Sequence, residues 1–248
     1  MTHTIAHPTN RLACIILAIA GLYLLGSPTQ AQDVNTDEKP ATDFRTSFSC
    51  VIWEPLGYEL FYYHQELYRP LKLPLKRRSE LFEIAPNTEF LELFRQVTTE
   101  EGETVYQLAG RAPIVEKTDR ILYFLSKNER DAEMPIRLFG IDDSLEAFPS
   151  GSFRFLNTTQ VPLSVMINET KADVPPRGIV VVSPEIPKSG GFLPFYIADL
   201  ERQKVIYQTR LYGQAKGRNM AFILIEEDQT TQGRVNIRFL SELIPDEQ

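Results

Sequence analysis

The stretch that decides the fold is "GSFRFLNTTQVPLSVMINETK", residues 151–171. It reads as strand, polar turn, strand, polar turn. In "VPLSVMIN" the side chains of Val161, Leu163, Val165 and Ile167 fall on one face, and Pro162, Ser164, Met166 and Asn168 on the other. Alternation of this kind marks a strand with one face in a core. Working outward, "PPRG" is a turn and "IVVVS" a further strand, followed by "FLPFYIADL", "KVIYQTRLY", "NMAFILIEE" and "RVNIRFLSEL". Seven short strands in roughly 95 residues, punctuated by Gly, Pro, Asn and Asp, have the rhythm of an immunoglobulin-like sandwich. The two Asn-x-Thr triplets, Asn157-Thr158-Thr159 and Asn168-Glu169-Thr170, sit at strand ends, where these residue types are favoured in turns.

The same order occurs earlier in the chain. "SFSCVIW" (47–53) answers "SFRFLN", "TVYQLAGR" (104–111) answers "VIYQTRLYGQ", "DRILYFL" (119–125) answers "RNMAFIL", and "PIRLF" (135–139) answers "NIRFL". The expected architecture is therefore all-β, two tandem immunoglobulin-like sandwiches over 44–146 and 147–248, with one larger sandwich as the alternative. "GIDDSLEAFPSGS" (140–152) is expected to be a short ordered connector between them.

The N-terminus has the layout of a secretory signal peptide: a polar start with Arg11, the apolar run "LACIILAIAGLYLL", a break at Gly26-Ser27-Pro28, and small or polar residues before a cut after Ala31. The 14-residue run would span about 21 Å as a helix, short of a hydrocarbon core of roughly 30 Å. Residues 1–31 are thus read as a signal and 32–43 as a flexible linker. The protein is expected to be exported, to the periplasm or beyond, with no stable membrane insertion after cleavage. The alternative is an uncleaved membrane anchor.

Without residues 1–31 the chain carries 25 basic and 33 acidic side chains, net −8, which gives it no electrostatic reason to seek nucleic acid. One cysteine (Cys50) and one histidine (His64) remain. A lone Cys forms no internal disulfide, and a metal centre usually needs three or four ligands, so no metal or cofactor is expected. Cys50, in "TSFSCVIW", reads as a small buried apolar residue. There is no Gly-x-Ser-x-Gly elbow and no phosphate-cradling glycine loop. Two carboxylates at glycosidase spacing can hide in any acidic chain.

The richest local feature is "GYELFYYHQELYRP" (57–70), with Trp53 just before it. Laid over "VPLSVMIN" at an offset of 102, Phe61 and Tyr63 point to the core while Tyr58, Tyr62 and His64 point outward. Trp53, Tyr58, Tyr62 and His64 form the candidate binding patch, since exposed flat aromatics stack on sugar rings or anchor protein partners. "KLPLKRRSE" (72–80) gathers Lys72, Lys76, Arg77 and Arg78, a candidate surface for an anionic partner such as an acidic polysaccharide.

"DDSLEAFPSGSFRFLN" resembles a segment of uncharacterised secreted bacterial β-rich proteins, in which Asp-Ser…Phe-Pro-x-Gly-Ser leads into a strand ending in Asn. The matching positions are Asp143, Ser144, Phe148, Pro149, Gly151, Ser152 and Asn157. The resemblance implies an exported β-rich protein and brings no functional residue with it. The expected function is a non-catalytic binding or structural role in the cell envelope, with a protein or glycan partner. The alternative is a carbohydrate-active enzyme or its accessory carbohydrate-binding module, which requires a cleft holding two close carboxylates, one with a raised pKa.

Overall fold

The structure, a computed structural model, describes residues 46–86, 88–226 and 234–244, with no side-chain detail at 225, 226, 234 and 235. The expected signal and linker, residues 1–43, lie outside the described residues. Residues Thr42–Gln248 cluster as one compact unit. Among the described residues no helix is long and apolar enough to cross a membrane.

The first half holds β1 (Ser47–Ile52), β2 (Leu60–His64), β3 (Leu67–Leu71), β4 (Phe82–Glu83), β5 (Phe90–Thr98), β6 (Thr104–Pro113), β7 (Arg120–Lys127) and β8 (Ile136–Asp142). The second holds β9 (Phe153–Asn157), β10 (Leu163–Ile167), β11 (Thr170–Val174), β12 (Ile179–Val182), β13 (Gly191–Asp199), β14 (Lys204–Gly213), β15 (Gly217–Glu226) and β16 (Arg234–Leu243). The sheets run β4-β1-β7-β8 and β3-β2-β5-β6 in the first half, and β12-β9-β15-β16 and β11-β10-β13-β14 in the second. Adding eight to each strand number of one half gives the other. The molecule is all-β and consists of two sandwich-like units with the same strand order. The second half has eight strands where the sequence pattern suggests seven; the extra one is β11, "TKADV", too polar to stand out as a strand. The first strand of each half lies inside its sheet, parallel to the seventh and antiparallel to the fourth.

Each sandwich has its own core. In the first, Phe48 meets Tyr62, Phe82 and Tyr123 at ring separations of 5.4, 5.3 and 6.1 Å, backed by Leu60, Leu93 and Ile121. In the second, Phe155 stacks on Phe195 at 5.4 Å among Leu163, Val165, Ile167 and Ile223. Of the face read as inward in "VPLSVMIN", Leu163, Val165 and Ile167 are fully buried, but Ser164 on the opposite face is buried as well, so the alternation is incomplete. A third core joins the halves: Val51, Leu122 and Ile141 pack with Phe148, Leu156, Met220, Phe222 and Leu240. The sheets containing β1 and β9 are therefore inner layers of a four-sheet stack. This is why "FRFLN" and "FSCVI" are both buried at every position: strands covered on both faces lose their alternation.

Asn157 is buried and closes the loop that follows β9. Its amide nitrogen donates to the carbonyls of Val161 (2.9 Å), Val174 (3.2 Å) and Pro175 (3.0 Å), and its Oδ1 accepts from the Thr159 hydroxyl at 2.7 Å. The first Asn-x-Thr triplet is thus a piece of the frame. Asn168 takes the left-handed backbone (φ 52) in the tight β10–β11 turn, where Asn is among the residues that accept it at least cost.

Cys50 is fully buried in β1, and burial pushes its thiol well above the ordinary range. A native chain beginning at residue 32 is expected to resist a thiol-alkylating reagent at neutral pH and to take up one equivalent after denaturation. Rapid native labelling would show that β1 is not an inner strand in solution.

Candidate functional site

The four residues of the candidate patch do not form one surface; only Tyr62 and His64 meet, with ring centroids 6.1 Å apart. Tyr62 and His64 are 8 % exposed and face the first core, and burial raises the Tyr62 phenol. Tyr58 is half-buried beside the core, its ring 5.8 Å from the Arg95 guanidinium. Trp53 lies at the junction of the halves, edge-to-face with Phe222 at 5.3 Å. The outward placement of Tyr62 and His64 is corrected by register. In the hairpins His64 pairs with Leu67, as Ile167 pairs with Thr170, so the two copies are 103 residues apart rather than 102. A slip of one residue exchanges the two faces of a strand.

The face turned outward is aromatic all the same. On the outer side of β3-β2-β5-β6, Tyr68 from one edge strand stacks on Tyr106 from the other, with ring centroids 3.9 Å apart and planes 7° apart. Phe94 meets Tyr68 at 5.0 Å, Phe61 meets Tyr106 at 5.1 Å, and Tyr63 flanks Tyr68 at 5.1 Å. Gln96 donates to the Tyr106 hydroxyl at 3.0 Å, fixing one rim of the stack. Phe61 is covered by this layer, whereas Tyr63 is 54 % and neighbouring Leu67 60 % exposed. The sequence signal for Phe61 and Tyr63 is their alternation with Tyr62 and His64, which only the correct register turns outward; Tyr68, Phe94 and Tyr106 come from other strands.

The second constellation lies in the connector between the halves. Asp143 is fully buried and gathers four arginines: Arg78 (2.5 and 3.1 Å), Arg120 (3.2 Å), Arg218 (3.3 Å) and Arg154 (3.9 Å). Glu242 accepts from Arg218 at 2.5 Å, pairs with Arg120, and lies 3.5 Å from Arg78. Arg120 and Arg218 occupy the same place in β7 and β15: Arg120 pairs with Ser47, the residue before Phe48, and Arg218 directly precedes Asn219, which pairs with Phe153. Their carboxylates correspond too: Glu242 pairs across the ladder with Arg218, and the Asp143 amide donates to the Arg120 carbonyl at 2.8 Å. Each half thus contributes one Arg–carboxylate pair, and the pairs interlock across the junction. The Phe148 ring lies under both Arg154 (4.3 Å) and Arg218 (4.9 Å). Burial alone would raise the Glu242 carboxyl; Arg78, Arg218 and Arg120 outweigh it and hold the group below its ordinary value. Arg78 belongs to this buried cluster, not to an exposed basic patch.

A third feature is a groove where the halves meet, lined by Trp53, Glu54, Lys76, Asn236, Arg238 and Phe239. Among the described residues no three His, Cys, Asp or Glu side chains group as metal ligands would. The chain matches no model of a known protein family, and a search of curated proteins finds no match to it.

Proposed function

We propose that this is an exported, non-catalytic binding protein of the cell envelope that recognises a protein or glycan through the aromatic outer face of its first sandwich. The observation that carries this reading is the Tyr68–Tyr106 stack with Tyr63 and Leu67 exposed beside it. Exposed aromatics on a rigid sheet offer contact area at little entropic cost. The interlocked Arg–carboxylate pairs support it, because they fix the two sandwiches into one frame that presents this face in a set orientation. The electrostatics of Glu242 favour the non-catalytic reading over a carbohydrate-active enzyme. A general acid needs a raised pKa, and here the close pair Asp143 and Glu242 is clamped by arginines with Glu242 held low. Export rests on the N-terminal apolar segment "LACIILAIAGLYLL".

The test is a Tyr63→Ser/Leu67→Ser variant, whose changes are at exposed positions and should leave the melting temperature within about 2 °C of the parent. Binding to envelope proteins, followed by cross-linking, or to glycans on an array is expected to fall about tenfold or more, as for an interface hot spot. Retained binding by both routes would remove this face as the recognition surface.

A further inference from the structure

The geometry points to the junction groove as a second binding site, for a carboxylate-bearing sugar such as a unit of a polyuronate chain. The groove is built from both halves. Trp53 and Phe239 supply ring surface, and Phe239 is 37 % exposed. The Arg238 guanidinium lies 5.5 Å from the Trp53 ring, which keeps its planar fork in place at the groove. Lys76 lies on the first-half side, also exposed. Two cations meet one acidic side chain, Glu54, in a chain whose overall charge is −7. A local positive balance on an acidic protein selects an anion, and a guanidinium fork selects a carboxylate that it can hold by two hydrogen bonds.

The other groups decide between a bare anion and a sugar. A phosphate or sulfate ion would use the two cations and leave the rings idle. A uronate ring has an apolar C–H face for the Trp53 and Phe239 surfaces and hydroxyls within the chemistry of the Asn236 amide and the Glu54 carboxylate. A uronate thus engages the rings as well as the two cations, whereas a simple anion engages the cations alone.

The backbone at Lys76 adds an independent observation. Lys76 has φ of 60, a left-handed conformation that costs a residue with a Cβ about 1–2 kcal/mol and that Gly adopts freely. Its amide donates to the Ile52 carbonyl at 2.8 Å, pinning the segment beside Trp53. The fold would take Gly at this position more easily, so the lysine stands there at a cost to the backbone, as do, among the described residues, six other non-glycine residues at turns of the chain.

Trp53 is the sole tryptophan of the chain, so its fluorescence reports on the groove directly. Titration with tri-galacturonate at low salt is expected to change Trp53 emission saturably, and the change should weaken as salt rises. The neutral reduced sugar and inorganic phosphate at equal concentration should leave the emission unchanged. Lys76→Gly is expected to keep or raise the melting temperature while weakening the uronate about tenfold, and Arg238→Gln should weaken it at least as much. Four results would overturn the proposal: no emission change with tri-galacturonate, an equal change with phosphate, an equal change with the neutral sugar, or unchanged affinity in both variants. The Tyr63→Ser/Leu67→Ser variant should bind tri-galacturonate like the parent, so this site and the aromatic face fail or stand separately.

Discussion

An Asp143→Ala chain should lose about 3–5 kcal/mol of stability, the usual cost of stripping one partner from a buried ionic cluster. For a domain of this size that lowers the melting temperature by on the order of 10 °C. Asp143 is fully buried and, among the described residues, is the one carboxylate that meets Arg78, Arg120, Arg154 and Arg218 together. Without it, Arg78, Arg120 and Arg218 keep only Glu242 as a shared carboxylate, and Arg154 keeps the field of Asp142. Their mutual repulsion then makes a second removal cheaper: Arg218→Met should cost less in the Asp143→Ala background than in the parent, giving a coupling that a double-mutant cycle in urea reads directly. The pH profile carries the same sign. A carboxyl held low in the folded state adds stability that is complete above its ordinary value and is lost as pH falls through the folded one. For Glu242 this predicts a steep acid limb below about pH 4, shallower in Glu242→Gln. A loss under about 1 kcal/mol for Asp143→Ala would mean that solvent reaches the junction.

The order of the strands was legible before their register was. "SFSCVIW" and "SFRFLN" are equivalent at the offset the sequence suggests, with Phe48 and Phe153 both in a core. The later matches drift. "DRILYFL" matches "RNMAFIL" at an offset of 99, whereas the ladders, pairing Phe48 with Ile121 and Phe153 with Asn219, make Arg120 the counterpart of Arg218, 98 apart. Loops of different length separate the strands in the two copies, and each loop residue moves every following side chain to the other face. A one-residue error of this kind in β2 sends Phe61 and Tyr63 to the core face on paper and hides their place in the aromatic face. The junction was hidden for a different reason: its members come from 78, 120, 143, 154, 218 and 242, and no local pattern links them. One clue was present. Arg154 in "SFRFLN" puts a charge in the middle of an apolar run, and a charge in a strand buried on both faces needs a partner. The stretch on which the resemblance to secreted bacterial proteins rests is the connector that supplies those partners: its Asp143 holds the arginines, and the Arg154 guanidinium donates to the Asp142 and Ala147 carbonyls at 2.7 and 3.1 Å.

Phe148→Ala is expected to be as damaging as the loss of Asp143, about 3–5 kcal/mol, by a different route. Phe148 is fully buried in the third core and lies under two guanidinium groups at once. Its removal opens a cavity between the halves and takes the ring face from Arg154 and Arg218. Phe148→Leu separates these effects, because it keeps most of the apolar volume and removes only the ring. If the cations gain from the ring as desolvated pairs do, Leu should still cost about 2 kcal/mol or more for the two contacts together. If packing alone matters, Leu should cost under about 1.5 kcal/mol, the usual range for a volume-conserving exchange. The Phe148 carbonyl accepts from Arg218 at 3.1 Å, so the backbone and the ring of one residue act on the same guanidinium that Asp143 holds. Phe148→Ala and Asp143→Ala should therefore be strongly sub-additive, the pair costing well below the sum of the single losses. Additive losses would show that the ring and the carboxylate hold the junction independently, and that Arg218 is not the element through which the two sandwiches are joined.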